Sequence, residues 1–175
     1  CGNKVKISIE GLQGGHSGGA INLGRVNANV LMGRILSYAK KIADFDILSL
    51  CGGDKGNVIT SRTYAELVLS DAQSFVSKME EYFEGLIKEI SDREPDANIK
   101  IEIEEKGNFN ALSKESKDLL IHLLISLPNG VVDMSKRMPG LVETSLNLGI
   151  LDTADDKSMI MFTIRSNKQS ALDYM

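Results

Sequence analysis

The stretch Val5-Lys6-Ile7-Ser8-Ile9-Glu10-Gly11-Leu12-Gln13-Gly14-Gly15-His16-Ser17-Gly18-Gly19 begins in strict apolar–polar alternation and then breaks into a loop holding five glycines and one of the two histidines of the chain. Alternation at period two over Val5 to Glu10 predicts a strand with one buried face. Beyond the loop, Arg25 to Ala43 carries Val30, Leu31, Ile35, Leu36 and Ile42 at helical spacing, most regularly from Ala28 to Ile42. The loop therefore sits at a strand-to-helix junction. Glycines there allow positive φ and close backbone approach, and the free N–H groups of a helix start suit an anion or a developing oxyanion. An imidazole at His16 can donate to a substrate oxygen from such a loop; it reads equally as a surface histidine on a strained turn.

Working outward, Asp46 to Cys51 reads as a short strand closed by Gly52-Gly53-Asp54-Lys55-Gly56, and Asn57 to Thr60 leads into a second strand, Thr63 to Ser70, antiparallel to it. Asp71 caps a helix over Ala72 to Asp92 with Phe75, Met79, Phe83, Leu86, Ile87 and Ile90 inward, and Asn98 to Glu104 alternates again. Ser113 caps a helix over Lys114 to Leu127 with Leu119, Leu120, Leu123, Leu124 and Leu127 inward, stopped by Pro128-Asn129-Gly130. Strands follow over Glu143 to Leu151 and Ser158 to Arg165, joined by a hairpin loop Asp152–Lys157, and a helix starts at the end. Residues 4–92 thus give strand, helix, strand, strand, helix, and residues 97–175 give the same order with the last helix clipped, as an internal duplication would. The fold class expected is α+β: tandem ferredoxin-like βαββα units, each borrowing the next strand, forming an antiparallel sheet with helices on one face.

Composition sets bounds. With 175 residues, 42% hydrophobic and 25% charged, the chain is an ordinary globular one. A net charge of −4 and the lack of basic runs speak against nucleic acid as a partner, and no apolar stretch is long enough for a membrane span. Two cysteines, Cys1 and Cys51, do not make a disulfide scaffold, so a reducing cytoplasm is the expected location. The chain opens on Cys1 and stops within a helix-like stretch, Ser170 to Met175, as a piece of something longer would.

Hydrolytic metal chemistry needs about three converging His, Asp, Glu or Cys ligands with one position open. Nothing of the kind surrounds His16, and His122 lies in the leucine-rich helix as a surface or boundary residue. The acidic runs Glu102-Glu104-Glu105 and Asp152-Asp155-Asp156 read as solvated charge. No nucleophile elbow and no phosphate loop is present, so the chain alone is expected to be inactive. Its candidate substrate-binding groups are His16, Asn57 after the glycine turn, and Arg165 at the end of the last strand. Singly each is an ordinary surface residue; together an imidazole, a carboxamide and a guanidinium suit a peptide carbonyl and a terminal carboxylate.

At these residues the sequence resembles one family. Gly11 to Gly19, followed by Asn22-Leu23-Gly24-Arg25-Val26-Asn27-Ala28-Asn29, is similar to the aminoacyl-histidine (Xaa-His) dipeptidases, within the di-zinc aminoacylase and carboxypeptidase group of metallopeptidases. Gly52 to Ile59 is similar to the glycine-turn-asparagine motif of that group, and Leu141-Val142-Glu143-Thr144-Ser145-Leu146-Asn147-Leu148-Gly149 is like the dipeptidase branch. The resemblance implies that residues 1–175 are the lid, or dimerisation, domain inserted into a catalytic domain that holds two zinc ions, in a cytoplasmic homodimer acting on dipeptides. It implies that His16 polarises the scissile carbonyl over the catalytic cleft while Asn57 and Arg165 hold the substrate carboxylate. In the implied reaction a zinc-bridged water, activated by a glutamate of the catalytic domain, attacks that carbonyl. The first copy ends Leu69-Ser70-Asp71 without an arginine, and the second has Arg165-Ser166-Asn167 but no glycine–histidine loop, as expected if a duplicated lid serves one active site. The rival reading is a stand-alone ferredoxin-like module for partner binding or amino-acid sensing, without catalysis.

Overall fold

In the computed structural model, which describes residues 2–153 and 157–175, the opening alternation becomes strand β1 (Gly2–Glu10), with Val5, Ile7 and Ile9 fully buried. Cys1 and the centre of the hairpin loop expected over Asp152–Lys157 lie outside the described residues. The chain continues through β2 (Gly15–His16), the single turn α1 (Ser17–Ala20), a 3-10 turn (Ile21–Leu23), α2 (Ala28–Ile42), β3 (Asp46–Gly52), β4 (Val58–Ile59), β5 (Thr63–Leu69) and α3 (Ala72–Ile90). It ends with β6 (Asn98–Gly107), α4 (Lys114–Ser126), β7 (Gly130–Met134), β8 (Val142–Asp152), β9 (Met159–Ser166) and α5 (Gln169–Tyr174).

An antiparallel sheet of seven strands runs β6-β1-β5-β3-β8-β7, with β9 on the other edge of β8. Its first four strands, taken in chain order, stand in the sequence 4-1-3-2, so β6 closes a ferredoxin-like unit with β1, β3 and β5. The borrowing expected from the sequence thus happens, and it places the opening strand of the second half on the far edge of the first. The second half extends the opposite edge. There β3 meets the C-terminal end of β8 through Cys51–Asp152 and Gly52–Leu151, and β7 meets its N-terminal end. Strand β7 has no counterpart in the sequence reading, because Val131, Val132 and Met134 are exposed and show no alternation.

The helices cover the apolar face. Asp71 caps α3 by accepting from Ser74 N–H, and Phe75, Met79, Phe83, Leu86 and Ile90 are buried at the expected spacing. The α4 register differs from expectation: Leu119 and Leu127 are 59% and 38% exposed, and Leu120, Ile121 and Leu124 go inward. On the inward side, Leu124 packs against Gly33 of α2. A Cβ there would come within 2.6 Å of Leu124 Cβ, so its absence lets the two helices close on that side of α4.

The opposite face of the sheet is wet and charged. Lys4 bridges Glu66 at 2.8 Å and Glu104 at 3.2 Å, so one of the acidic side chains read as solvated is paired across strands. The hydrogen bond from Lys4 holds the Glu66 carboxyl below the usual carboxylate range, against the opposing effect of burial. A carboxyl depressed by folding adds stability above its unfolded pKa, and that share is lost as pH falls through the folded value. Between about pH 5 and about pH 3, a range set by ordinary carboxylate values, denaturant unfolding of Glu66→Gln is therefore expected to show a shallower loss of stability than the parent. Parallel slopes would contradict the pairing.

Candidate functional site

His16 is placed by a small ladder and a cap. Strand β2 pairs with β4 through Gly15–Ile59 and His16–Val58, and Ser17 N–H donates to the Asn57 carbonyl at 2.9 Å. The two glycine motifs are thereby stitched together, a pairing that no local pattern announces because each partner is only two residues long. Gly14 and Gly15 make the turn possible with φ of 62° and 123°. His16 itself is the N-cap of α1: Gly18 N–H donates to its Nδ1 at 3.1 Å. With Nδ1 engaged as acceptor, the neutral ring carries its proton on Nε2. Nε2 lies 3.5 Å from the Asn57 carboxamide nitrogen, and both side chains are exposed.

Arg165 arrives from the other half of the chain. It lies on β9 opposite Ser145 of β8, and its guanidinium carbon is 3.3 Å from the point a Cβ on Gly18 would occupy. The imidazole, the carboxamide and the guanidinium singled out in the sequence therefore converge on one exposed corner. Gly18 is what leaves room for the arginine beside the ring.

The corner rests on a buried polar network that the sequence reading missed. Asn147 of β8 donates to the carbonyls of Gly56 at 2.9 Å and Val58 at 2.8 Å, gripping the turn on both sides of Asn57. Asn27, the N-cap of α2, donates to Leu148 O at 2.8 Å, and Thr60 donates to Gly149 O at 2.9 Å. Thr63 donates to the Asn29 carboxamide oxygen at 2.6 Å. Backbone meets backbone at the same place: a Cβ on Gly53 would lie 1.9 Å from Gly149 O, and one on Gly149 would lie 2.3 Å from Gly56 O. A polar residue just before the regular apolar periodicity is the signal that would have marked the Asn27 cap; for Asn147, inside an apolar strand, the one signal is an amide that needs buried partners.

Among the described residues no three His, Cys, Asp or Glu side chains gather in a way that could hold a metal ion. His122 is exposed on α4. No helix among the described residues is long and apolar enough to cross a membrane.

No family model matches the chain. Individual relatives do. Over 173 residues, 97% of this chain, it is 35% identical to the cytosol non-specific dipeptidase of Escherichia coli strain K12, of which it covers 35%. The crystal structure of aminoacylhistidine dipeptidase from Vibrio alginolyticus superposes over 99% of this chain with a TM-score of 0.92 and 30% identity, covering 36% of that chain. The chain thus spans about a third of the length of the relatives it matches, and the resemblance read from its motifs extends over its whole length.

Proposed function

We propose that this chain, similar over nearly its whole length to about a third of two dipeptidases, is the lid and dimerisation segment of such an enzyme and closes over a dipeptide held on a catalytic domain lying outside residues 1–175. His16 donates its Nε2 proton to the scissile carbonyl oxygen, where negative charge grows in the transition state. Arg165 and Asn57 take the substrate carboxylate, the guanidinium through a charge-assisted hydrogen bond and the carboxamide as a further donor. Closure of such a segment excludes bulk water and limits substrate length.

The convergence of His16, Asn57 and Arg165 from three separate elements carries this reading, because a dipeptide presents a carbonyl and a carboxylate only a few bonds apart. The two zinc ions implied by the resemblance find no ligand set among the described residues; in this reading their ligands lie on the catalytic domain. The halves 4–92 and 97–175 act as a duplicated unit in which one supplies the imidazole and the other the guanidinium. Cytoplasmic location is supported by the similarity to a dipeptidase described as cytosolic. Homodimerisation is supported by the exposed Val131, Val132 and Met134 on strand β7.

Arg165 gives the test of substrate class. In a full-length dipeptidase carrying this segment, Arg165→Ala is expected to raise KM about tenfold or more for dipeptides with a free carboxylate, as loss of a charge-assisted hydrogen bond does, and to leave C-terminally amidated substrates nearly unaffected. Equal loss on both would contradict carboxylate recognition. A stand-alone sensor would instead bind a free amino acid without any catalytic domain, which calorimetry on residues 1–175 detects.

A further inference from the structure

The loop that carries His16 is clamped at both ends by a single buried carboxylate. Glu94 lies in the connection between α3 and β6 and is 1% exposed. Its Oε2 accepts from Gln13 N–H at 2.7 Å and its Oε1 accepts from Val26 N–H at 2.8 Å. Those two amides bracket the segment containing β2, His16 and α1. The rest of the connection reinforces the grip. Gln13 Nε2 donates to the Arg93 carbonyl at 2.6 Å, and Arg93 Nη1 donates to the Gly24 carbonyl at 3.2 Å. At the root of the loop, Gly11 at φ 75° lies so close to Asp96 that a Cβ would meet its carbonyl oxygen at 2.0 Å. Across the loop itself, Arg25 Nη1 donates to Gly14 O at 2.5 Å.

A buried carboxylate is costly unless its oxygens are well occupied, and this one is occupied by backbone donors of one loop. Loops carry functional groups precisely enough only when a rigid seat holds them, and a misplacement of about 1 Å can cost about a hundredfold in rate. We infer that Glu94 is a positioning residue for His16: it fixes both ends of the glycine loop, so the imidazole meets the substrate carbonyl in the reactive geometry. Glu94 is sealed from solvent and acts through the loop it holds. The inference rests on the carbonyl-donor reading of His16.

The amide of Glu94→Gln keeps one acceptor and turns an N–H₂ group toward one of the two backbone donors, releasing one end of the loop. In a full-length dipeptidase carrying this segment, that variant is expected to lower kcat about tenfold or more with KM changed less than about twofold, and amide exchange at Gln13 and Val26 is expected to quicken. Combined with His16→Ala it is expected to cost nothing beyond His16→Ala alone, since the group it positions is gone. Gln13→Ala, which removes the bond to the Arg93 carbonyl and leaves the buried carboxylate intact, serves if Glu94→Gln does not fold; it is expected to lower kcat about threefold, again only in the presence of His16. An unchanged kcat, or the same factor lost with and without His16, overturns the positioning role. A wild-type rate for His16→Ala overturns the reading of His16 itself, so the two failures are told apart.

Discussion

Replacing His16 by alanine in a full-length dipeptidase carrying this segment lowers kcat by about two orders of magnitude, the usual effect of losing one preorganised oxyanion donor, and leaves KM nearly unchanged. The expectation follows from the ring's placement. Gly18 N–H occupies Nδ1, which leaves the proton on Nε2, on the exposed side of the ring beside Asn57 and away from the cap. The same geometry supplies a control, because alanine also removes the cap of α1. Asparagine at this position keeps a side-chain oxygen for Gly18 N–H yet cannot extend a donor as far. His16→Asn is therefore expected to retain the local fold, read by amide exchange at Gly18, while kcat stays as low as in the alanine variant. If asparagine restored the rate, capping would explain the histidine and the carbonyl role would fall.

Removal of Asn147 is expected to give the largest loss of stability. Its carboxamide donates to two carbonyls of the 56–58 turn from within strand β8. Alanine leaves the Gly56 and Val58 oxygens, both partly buried, without that donor, for a cost of about 2–4 kcal/mol if neither finds a substitute. Gly149 follows two residues later and packs its backbone on Gly56, so the turn has little freedom to seek one. Urea unfolding of Asn147→Ala measures the effect; a change below about 0.5 kcal/mol, the level of an ordinary surface substitution, would show that the turn is held by other means. Since the same turn presents Asn57 beside His16, the variant is also expected to weaken substrate binding in the full-length enzyme.

The elements that the sequence disclosed are those whose evidence is local. Strand β1 and helix α3 repeat their apolar residues at a fixed period, and each period maps directly onto a buried face. Helix α4 gave the right span and cap but the wrong face at Leu119 and Leu127, because its leucines are spread around the helix and only its packing against α2 selects among them. Strand β7 and the β2–β4 ladder were hidden for a related reason: short segments without a clear period become strands only through a distant partner.

The site divides in the same way. Clustered glycines marked His16, and a turn after paired glycines marked Asn57, but their approach to Arg165 depends on β8 docking against β3 and carrying β9 with it. Glu94 was illegible because Ser91-Asp92-Arg93-Glu94-Pro95-Asp96 has the composition of a solvated turn. Only the fold, by folding the glycine loop over that turn, converts one of its acids into a buried acceptor of two backbone bonds.

The most direct measurement is a crystal structure of a full-length dipeptidase carrying this segment, bound to a phosphinate dipeptide analogue that mimics the tetrahedral intermediate. The account predicts His16 Nε2 within about 3 Å of a phosphinate oxygen, hydrogen-bond distance, with Arg165 on the analogue's carboxylate. A closed complex in which His16 stays beyond hydrogen-bond reach of every analogue atom would contradict it.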